Sequence, residues 1–162
     1  MRRVYRTPWY TKIIERFRRS VPRGAWGIDV MTGFPGETDD DFRETWRYLR
    51  SLDFTYLHVF PYSPRRGTPA ATMPDQVDPR IKRERTRQLI ALSDERKQGH
   101  IDRSVGEEAM VLVETKRRGG QLRGFTEHYV PVRLDGSDSW MNTLVPVRIT
   151  DAVAGHAKGV AP

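Results

Sequence analysis

Apolar positions in the first sixty residues switch repeatedly between the spacing of a helix and that of a strand. Residues 13–17 show helical spacing, whereas Trp26, Ile28 and Val30 alternate in the manner of a buried strand. A second helical face follows, and then a β-rich run, TYLHVF, at residues 55–60. Strands separated by single helices predict βαβ units and a parallel sheet.

The second of these helices has a clear start signal. Thr38 followed by Asp41 is a variant of the capping box, in which each residue caps the other's backbone N–H group. Asp39 and Asp40 add negative charge at the positive end of the helix dipole. We therefore expect a helix to begin at this point, directly after the first strand.

The middle of the chain is a loop followed by a long helix. Residues 61–79 contain five prolines and no periodicity, which predicts a surface loop. Residues 81–103 then carry the spacing of one basic amphipathic helix. The spacing of apolar residues changes from helical to alternating at Gly106. We therefore expect an α/β domain over residues 1–104 and a second domain over residues 105–162.

The last part of the chain has the pattern of an all-β unit. Three short alternating runs occur in it, AMVLVE, HYVPVRL and LVPVRIT. Gly119-Gly120 and Asp135-Gly136 separate them as turns. A unit of about 55–60 residues with this pattern is the size of a small β-barrel.

Charge and composition narrow the possible partners. The chain has 28 Lys and Arg against 21 Asp and Glu, a formal net charge of +7, and a basic chain favours polyanions, nucleic acid above all. The excess lies in residues 1–104, because residues 105–162 carry seven basic and seven acidic side chains. No stretch approaches the roughly 18 apolar residues of a membrane span, and the first residues lack the apolar core of a signal peptide. We expect no membrane partner and a cytoplasmic location.

Several kinds of catalytic and metal site are excluded within this chain. It has no cysteine, which rules out disulfides, thiolate metal sites and a cysteine nucleophile. The histidines lack metal-ligand spacing, and GxSxG, GxxxxGK[ST] and GxGxxG motifs do not occur. We therefore expect neither a metal ligand nor a catalytic residue here.

Two loops of unusual composition follow the two predicted strands. GFPGET begins at Gly33, and FPYSPRRGTP begins at Phe60. Ligands of parallel α/β sheets bind beyond the carboxyl ends of the strands, so these loops predict one half of a ligand-binding mouth. Glycine lets the backbone approach a ligand, and the helix start at Thr38 adds positive potential. The alternative is that Gly33 and Gly36 serve only a tight turn.

Three stretches resemble the radical S-adenosylmethionine methylthiotransferases: GIDVMTGFPGETDDDF, LHVFPYSPRRGTPAATMPDQV and the β-rich tail with GFTEHYVPVRL. The opening MRRVYR is similar to the MxRxYT segment that precedes the first of them in that family. The resemblance covers nearly the whole chain in one unbroken order. At the loop LHVFPYSPRRGTPA, the branch that methylthiolates threonylcarbamoyladenosine beside the anticodon is the most similar. The isopentenyladenosine and ribosomal-protein branches resemble this loop less.

The resemblance implies a fold and a place within the family. The chain would contain the last βα units of a partial TIM-like barrel, followed by a TRAM domain, a small OB-like β-barrel that binds RNA in this family. The family also has three cysteines for an auxiliary iron–sulfur cluster, and a CxxxCxxC motif for the 4Fe–4S cluster that cleaves S-adenosylmethionine. Neither is present here. We therefore expect a C-terminal portion whose partner is the missing N-terminal portion of the same protein.

The resemblance also assigns candidate contacts to S-adenosylmethionine. Residues 33–37 resemble a strand-end motif that lies against this cofactor, and residues 59–62 resemble a segment whose backbone lies near the adenine. Arg3 would offer a bidentate clamp for the methionyl carboxylate. The expected cofactor-binding residues are Arg3, Gly33, Pro35, Gly36, Glu37, Val59, Phe60 and Tyr62. Asp29, a carboxylate in the predicted buried strand, needs a partner, either inside the barrel or in a structural hydrogen bond.

A basic hairpin tip in the tail is the candidate RNA contact. Cations beside aromatic rings can hold phosphates and stack bases, and the expected partner is a tRNA anticodon stem-loop. The residues that form this tip are Lys116, Arg117, Arg118, Arg123 and Phe125. The alternative is a solvated turn whose aromatic neighbours belong to the core.

Three functions remain open from the sequence. The first is a fragment of a tRNA methylthiotransferase, which adds a methylthio group to a modified adenosine next to the anticodon. The second is a free-standing RNA-binding or accessory module without catalysis. The third is a degenerate α/β fragment without present activity. In every case we expect this chain alone to be inactive, because thiolates hold iron–sulfur clusters and the chain supplies none.

Overall fold

The computed structural model describes residues 6–161, which fall into two compact units. Within the described range the first unit contains residues 6–22 and 26–94, and the second contains residues 23–25 and 95–161. The expected domain boundary after residue 104 stays a prediction. None of the helices in this range has the length and apolar character that a membrane crossing requires.

The first unit has a βαβ arrangement with two further helices. A single 3-10 turn, Pro69–Thr72, lies in the proline-rich loop. The other elements are α1 (Thr7–Ser20), β1 (Gly27–Thr32), α2 (Asp39–Ser51), β2 (Tyr56–Pro61) and the longer part of α3 (Pro79–Asp102). β1 and β2 are hydrogen-bonded in parallel, so the predicted βαβ unit is confirmed.

The helices of the first unit cover one face of the β1–β2 sheet. Ile28 on β1 and Leu57 on β2 are paired in register and both are buried. They pack against side chains of α2 and α3, among them Phe42, Leu49 and Leu89. Because successive side chains of a strand point to opposite faces, this core uses every second residue of each strand.

The residues in between form an open face, defined here as Asp29, Met31, His58 and Phe60. Asp29 pairs in register with His58, and Met31 pairs with Phe60. Met31 and Phe60 expose 38% and 46% of their surface. Asp29 is also exposed, so the expectation of a buried carboxylate at this position is wrong. The alternation of the strand turns it away from the helices.

The start of α2 has the predicted capping box. The Thr38 hydroxyl accepts the Asp41 N–H at 3.1 Å, and the Asp41 carboxylate accepts the Thr38 N–H at 2.9 Å. Hydrogen bonds from the Thr38 side chain and then from its backbone hold the pKa of the Asp41 carboxyl below its usual value. The helix therefore begins directly after the loop that follows β1.

The second unit is a closed barrel of five strands. The strands are β3 (Glu108–Val113), β4 (Leu122–Thr126), β5 (Pro131–Leu134), β6 (Leu144–Val153) and β7 (His156–Val160). Their order around the barrel is β3-β4-β5-β7-β6. β5 and β7 pair in parallel, and the other neighbours are antiparallel. The fold class, α/β followed by a small OB-like barrel, is confirmed.

Two of the five barrel strands, β4 and β7, were not among the predicted runs. Each has a glycine that faces the barrel core. A Cβ on Gly124 would overlap the Leu112 carbonyl oxygen, and a Cβ on Gly159 would overlap the Val147 side chain. The narrow interior thus requires glycine at positions where an apolar side chain would have revealed a strand.

Candidate functional site

The two strand-end loops lie side by side. Thr32 and Pro61 end β1 and β2 at the same register position, and the Tyr62 N–H donates to the Thr32 carbonyl at 2.7 Å. The Phe34 and Tyr62 rings meet edge to face with centroids 5.3 Å apart. The structure therefore brings together the candidate residues of the ranges 33–37 and 59–62, whereas Arg3 lies outside the described residues. Their contact with a cofactor stays a prediction.

The glycines of the first loop serve its backbone. Gly33 and Gly36 have φ angles of 70° and 85°, which L side chains rarely adopt. The Glu37 N–H closes a turn on the Phe34 carbonyl at 2.9 Å, and the Gly36 N–H donates to the Asp75 carbonyl at 2.9 Å. A Cβ on Gly33 would overlap Lys82, whereas Gly36 has open space around it. Tight-turn geometry thus accounts for both glycines, and Gly36 also leaves room for a ligand.

Arg85 of α3 anchors this loop through hydrogen bonds to two acidic residues, Glu37 and Asp39. Its guanidinium donates to the Glu37 carboxylate at 2.8 Å, to the Glu37 carbonyl at 3.1 Å and to the Asp39 carboxylate at 2.7 Å. It also lies 5.5 Å above the Phe42 ring, and Arg85 is only 4% exposed. The Glu37 carboxylate in addition accepts the Gly33 N–H. Glu37 therefore shapes the loop with a carboxylate that is already engaged by the protein.

The spacing of residues along α3 indicates that Arg85 is buried, although this was not predicted from the sequence. Arg85, Leu89 and Leu92 follow one another at i, i+4 and i+7, and all three are buried. A basic residue at a core position of an amphipathic helix must have an anionic or carbonyl partner. The structure supplies these partners as Glu37 and Asp39, on either side of Thr38.

Tyr62 carries an unsatisfied polar atom at the strand ends. Its hydroxyl is buried and has no hydrogen-bond partner among the described residues. The Lys82 ammonium lies 5.0 Å from the centre of its ring and 3.4 Å from its carbonyl oxygen. A buried hydroxyl without a partner is costly, so this is a position where a ligand atom or water would be favourable.

Two of the residues in the predicted basic hairpin tip already have partners within the protein. Arg117 donates to the Asp138 carboxylate at 2.7 Å and to the carbonyls of Gly120 and Gly136. Arg123 pairs with Glu114 at 2.5 Å. Arg117 therefore ties two turns together and Arg123 is partly neutralised.

The remaining candidates of the tip are more accessible. Lys116 and Arg118 are exposed, and neither has a carboxylate partner within residues 6–161. Phe125 is 39% exposed, and its ring centroid lies 5.8 Å from that of Tyr129. These three side chains are free to contact a ligand.

Three further polar residues lie beside Arg123 on the barrel and were not predicted: Arg133, His156 and Lys158. Arg133 and Lys158 occupy paired positions on β5 and β7. Burial first, and then the charges of Arg133 and Lys158, lower the pKa of the His156 imidazole. The outward position of Arg133 follows from the alternation in VPVRL, but β7 was not recognised as a strand.

Of these residues, Arg133 and His156 border a small groove of about 160 Å³. The side chains that line it include Glu114, Arg118, Arg123, Phe125, Arg133 and His156. In the part of the chain that the structure describes, no group of three or more His, Asp and Glu residues is placed to hold a metal ion.

Comparison with known proteins gives the class of this protein. No protein-family model matches the chain. The threonylcarbamoyladenosine tRNA methylthiotransferase of Bacillus subtilis is 36% identical over 163 residues, which is 98% of this chain and 36% of that protein. The tRNA-2-methylthio-N(6)-dimethylallyladenosine synthase of Pelotomaculum thermopropionicum is 37% identical, over 99% of this chain and 36% of its own length.

A further relative agrees with these two. The tRNA-2-methylthio-N(6)-dimethylallyladenosine synthase 1 of Mycobacterium marinum is 40% identical over 96% of this chain and 31% of its own length. The chain belongs to the radical S-adenosylmethionine methylthiotransferase family and corresponds to a C-terminal portion of its members. It spans about a third of the length of the curated relatives it matches.

Proposed function

We propose that this chain acts as the C-terminal part of a tRNA methylthiotransferase. In this role the loops after β1 and β2 form part of the S-adenosylmethionine site, and the barrel binds the tRNA anticodon stem-loop. The observation that carries the proposal is the 36% identity to a tRNA methylthiotransferase over 98% of the chain. The paired strand-end loops and the unpaired cations of the barrel support it.

The proposed substrate is threonylcarbamoyladenosine in tRNA. Identity over the whole chain does not separate the branches, because it is 36% to the relative named for this nucleoside and 37% and 40% to two named for dimethylallyladenosine. The resemblance of LHVFPYSPRRGTPA to the threonylcarbamoyladenosine branch supports the assignment.

The residues of this chain have binding and positioning roles in the proposal. Arg85 and Glu37 hold the first loop in shape, and Tyr62 with its neighbour Phe34 offers an aromatic surface to the cofactor. S-adenosylmethionine and the iron–sulfur clusters of this family supply the radical chemistry when bound. The cluster ligands would come from residues outside this chain, which has no cysteine.

A second candidate is an RNA-binding or accessory module without catalysis. It is favoured by the absence of cysteine together with a barrel that closes within the second unit. The genomic DNA upstream of the Met1 codon separates the two. An in-frame CxxxCxxC motif there supports the enzyme, and a stop codon supports the module.

Binding of RNA tests the part of the proposal that the full chain can perform alone. A labelled tRNA anticodon stem-loop is titrated with the full chain at several salt concentrations, with fluorescence anisotropy as the readout. We expect weak binding whose log affinity falls with log salt by roughly 0.7–0.9 per phosphate contact. Absence of binding at low salt would contradict the proposed role of the barrel.

A further inference from the structure

We propose that the outward face of β4, β5 and β7 is the RNA phosphate-binding surface of the barrel, centred on Arg133, and that it takes a single-stranded segment of RNA. This inference rests on the proposed function. It names a surface on the strands themselves, which shares Arg123 and Phe125 with the predicted hairpin tip and extends from them across β5 and β7. We call the three cations Arg123, Arg133 and Lys158 the cationic row.

The cationic row crosses three adjacent strands of the barrel. Arg123 on β4 is paired in register with Arg133 on β5, which is paired in turn with Lys158 on β7. The neighbouring positions Gly124, Val132 and Ala157 are buried in the barrel. Since side chains alternate along a strand, the three cations all lie on the outside.

Such a row is electrostatically unfavourable without an anion. Like charges at directly opposed positions of a sheet destabilise it. Carboxylates neutralise only the two ends, where Glu114 pairs with Arg123 at 2.5 Å and Asp151 pairs with Lys158 at 3.3 Å. Arg133, in the centre, has no carboxylate partner in residues 6–161. The structure therefore leaves one guanidinium between two cations, where an added phosphate would be stabilised.

A groove lies beside Arg123 and Arg133 of the row. Its volume is about 160 Å³, and its lining includes Arg118 from the loop between β3 and β4 and Gly155 from the loop between β6 and β7. In OB-like barrels the second and third strands, with these two loops, form the surface that accommodates oligonucleotides. β4 and β5 are the second and third strands of this barrel.

An apolar row runs beside the cationic row. Leu144, Leu112, Phe125 and Pro131 are paired in register on four successive strands of the barrel. Leu144 and Leu112 expose 62% and 54% of their surface. Phe125 is two residues from Arg123 on the same face of β4, so the two rows touch there.

The two rows together select the kind of nucleic acid. The cations suit phosphates, and the exposed ring of Phe125 with its neighbour Tyr129 suits the face of a base. Bases of a duplex are stacked and inaccessible, whereas those of a single-stranded loop can lie on aromatic side chains. Single-stranded RNA is therefore the ligand that satisfies both rows.

Charge removal at one position tests the proposal. The full chain is titrated with a short labelled single-stranded RNA across a salt series, as the unmodified protein, as Arg133→Ala and as Arg148→Ala. Arg148 on β6 is the matched control. It also lies on the outside of the barrel, but it forms an ion pair with Glu108 on the neighbouring strand β3. We expect Arg133→Ala to weaken binding several-fold and to lower the salt slope by roughly 0.7, and Arg148→Ala to leave both unchanged.

The possible outcomes separate this inference from the proposed function. If the unmodified chain binds RNA and the two variants behave alike, the surface centred on Arg133 is wrong and the RNA-binding role stands. If the unmodified chain binds no RNA at low salt, both fail. If Arg133→Ala disturbs the fold, the inference is tested instead on the unmodified chain, by the changes in amide chemical shifts when RNA is added. Shifts on RNA addition must then concentrate at β4, β5 and β7, and a concentration at β3 and β6 overturns the inference.

Discussion

Arg85 on α3 and Glu37 in the loop after β1 are joined by two hydrogen bonds, at 2.8 Å to the carboxylate and 3.1 Å to the carbonyl. Both side chains are largely buried, with 5% and 14% of their side-chain surface exposed. The pair connects segments 48 residues apart. The conformation of the candidate cofactor loop therefore depends on a helix that begins only after the proline-rich segment.

Removing this guanidinium should loosen the first unit. Arg85→Ala leaves the Glu37 carboxylate buried without its cation, and breaking a buried pair in this way costs about 3 kcal/mol. We expect faster amide hydrogen exchange in β1 and in residues 33–37, measured by mass spectrometry. Arg87→Ala is the control on the same helix, because Arg87 and Glu84 form an exposed pair that contributes less than about 0.5 kcal/mol. Equal exchange in the two variants would contradict the anchoring role.

Glycine at the barrel core should be irreplaceable, in contrast to glycine at the hairpin tip. Gly124→Ala places a methyl group against the Leu112 carbonyl and the Val111 side chain, and we expect a loss of about 3 kcal/mol or more. Gly119→Ala meets open space but has a φ of 61°, which costs about 1 kcal/mol. Urea unfolding of the two variants measures the difference. A smaller loss for Gly124→Ala than for Gly119→Ala would show that the barrel is wider than described.

His156 should make the barrel less stable in mild acid. Its pKa is lowered in the folded chain by burial and by Arg133 and Lys158, so below about 6.5 the unfolded chain binds more protons than the folded one. The stability is therefore complete above the unfolded pKa and falls as the pH drops through the folded value. His156→Gln should flatten the dependence of the urea midpoint on pH between about 7.5 and 5.5. An unchanged profile would assign the effect to other groups.

The open face of the first unit should cause self-association. Within residues 6–161, β1 has β2 as its single strand neighbour, and an exposed strand edge beside Met31 and Phe60 is a template for pairing with another chain. We expect sedimentation velocity to show species larger than a monomer at micromolar concentration. Serine at Met31 and Phe60 together should reduce them, whereas Leu144→Ser on the barrel should not. A monomeric unmodified chain would refute this prediction.

Local signals in the sequence were sufficient for much of the first unit. The capping box of Thr38 and Asp41 located the start of α2, and the alternation around Ile28 located β1. These features depend on neighbouring residues and can be predicted without the tertiary structure. The burial of Asp29 was predicted wrongly, because a pair of strands with helices on one face resembles a fully enclosed sheet in its residue types.

Features that depend on distant contacts could not be predicted in the same way. β4 and β7 were missed because Gly124 and Gly159 fill the narrow interior, which only the closed barrel reveals. HYVPVRL was predicted as one run, but β5 starts at Pro131 after a turn in which Tyr129 has a φ of 60°. The cationic row likewise arises from the pairing of β4 with β5 and of β5 with β7. β6 separates β5 from β7 along the chain, so the sequence alone does not show that these two strands are neighbours.

Methylthiolated nucleosides in tRNA test the central claim most directly. In Bacillus subtilis the segment of the threonylcarbamoyladenosine tRNA methylthiotransferase that matches this chain is replaced by residues 1–162, in a strain without the original gene. Mass spectrometry of digested tRNA should then detect the methylthio derivative of threonylcarbamoyladenosine, which a strain with neither gene lacks. A chimeric protein that accumulates, carries its iron–sulfur clusters and still leaves the nucleoside unmodified would contradict the account.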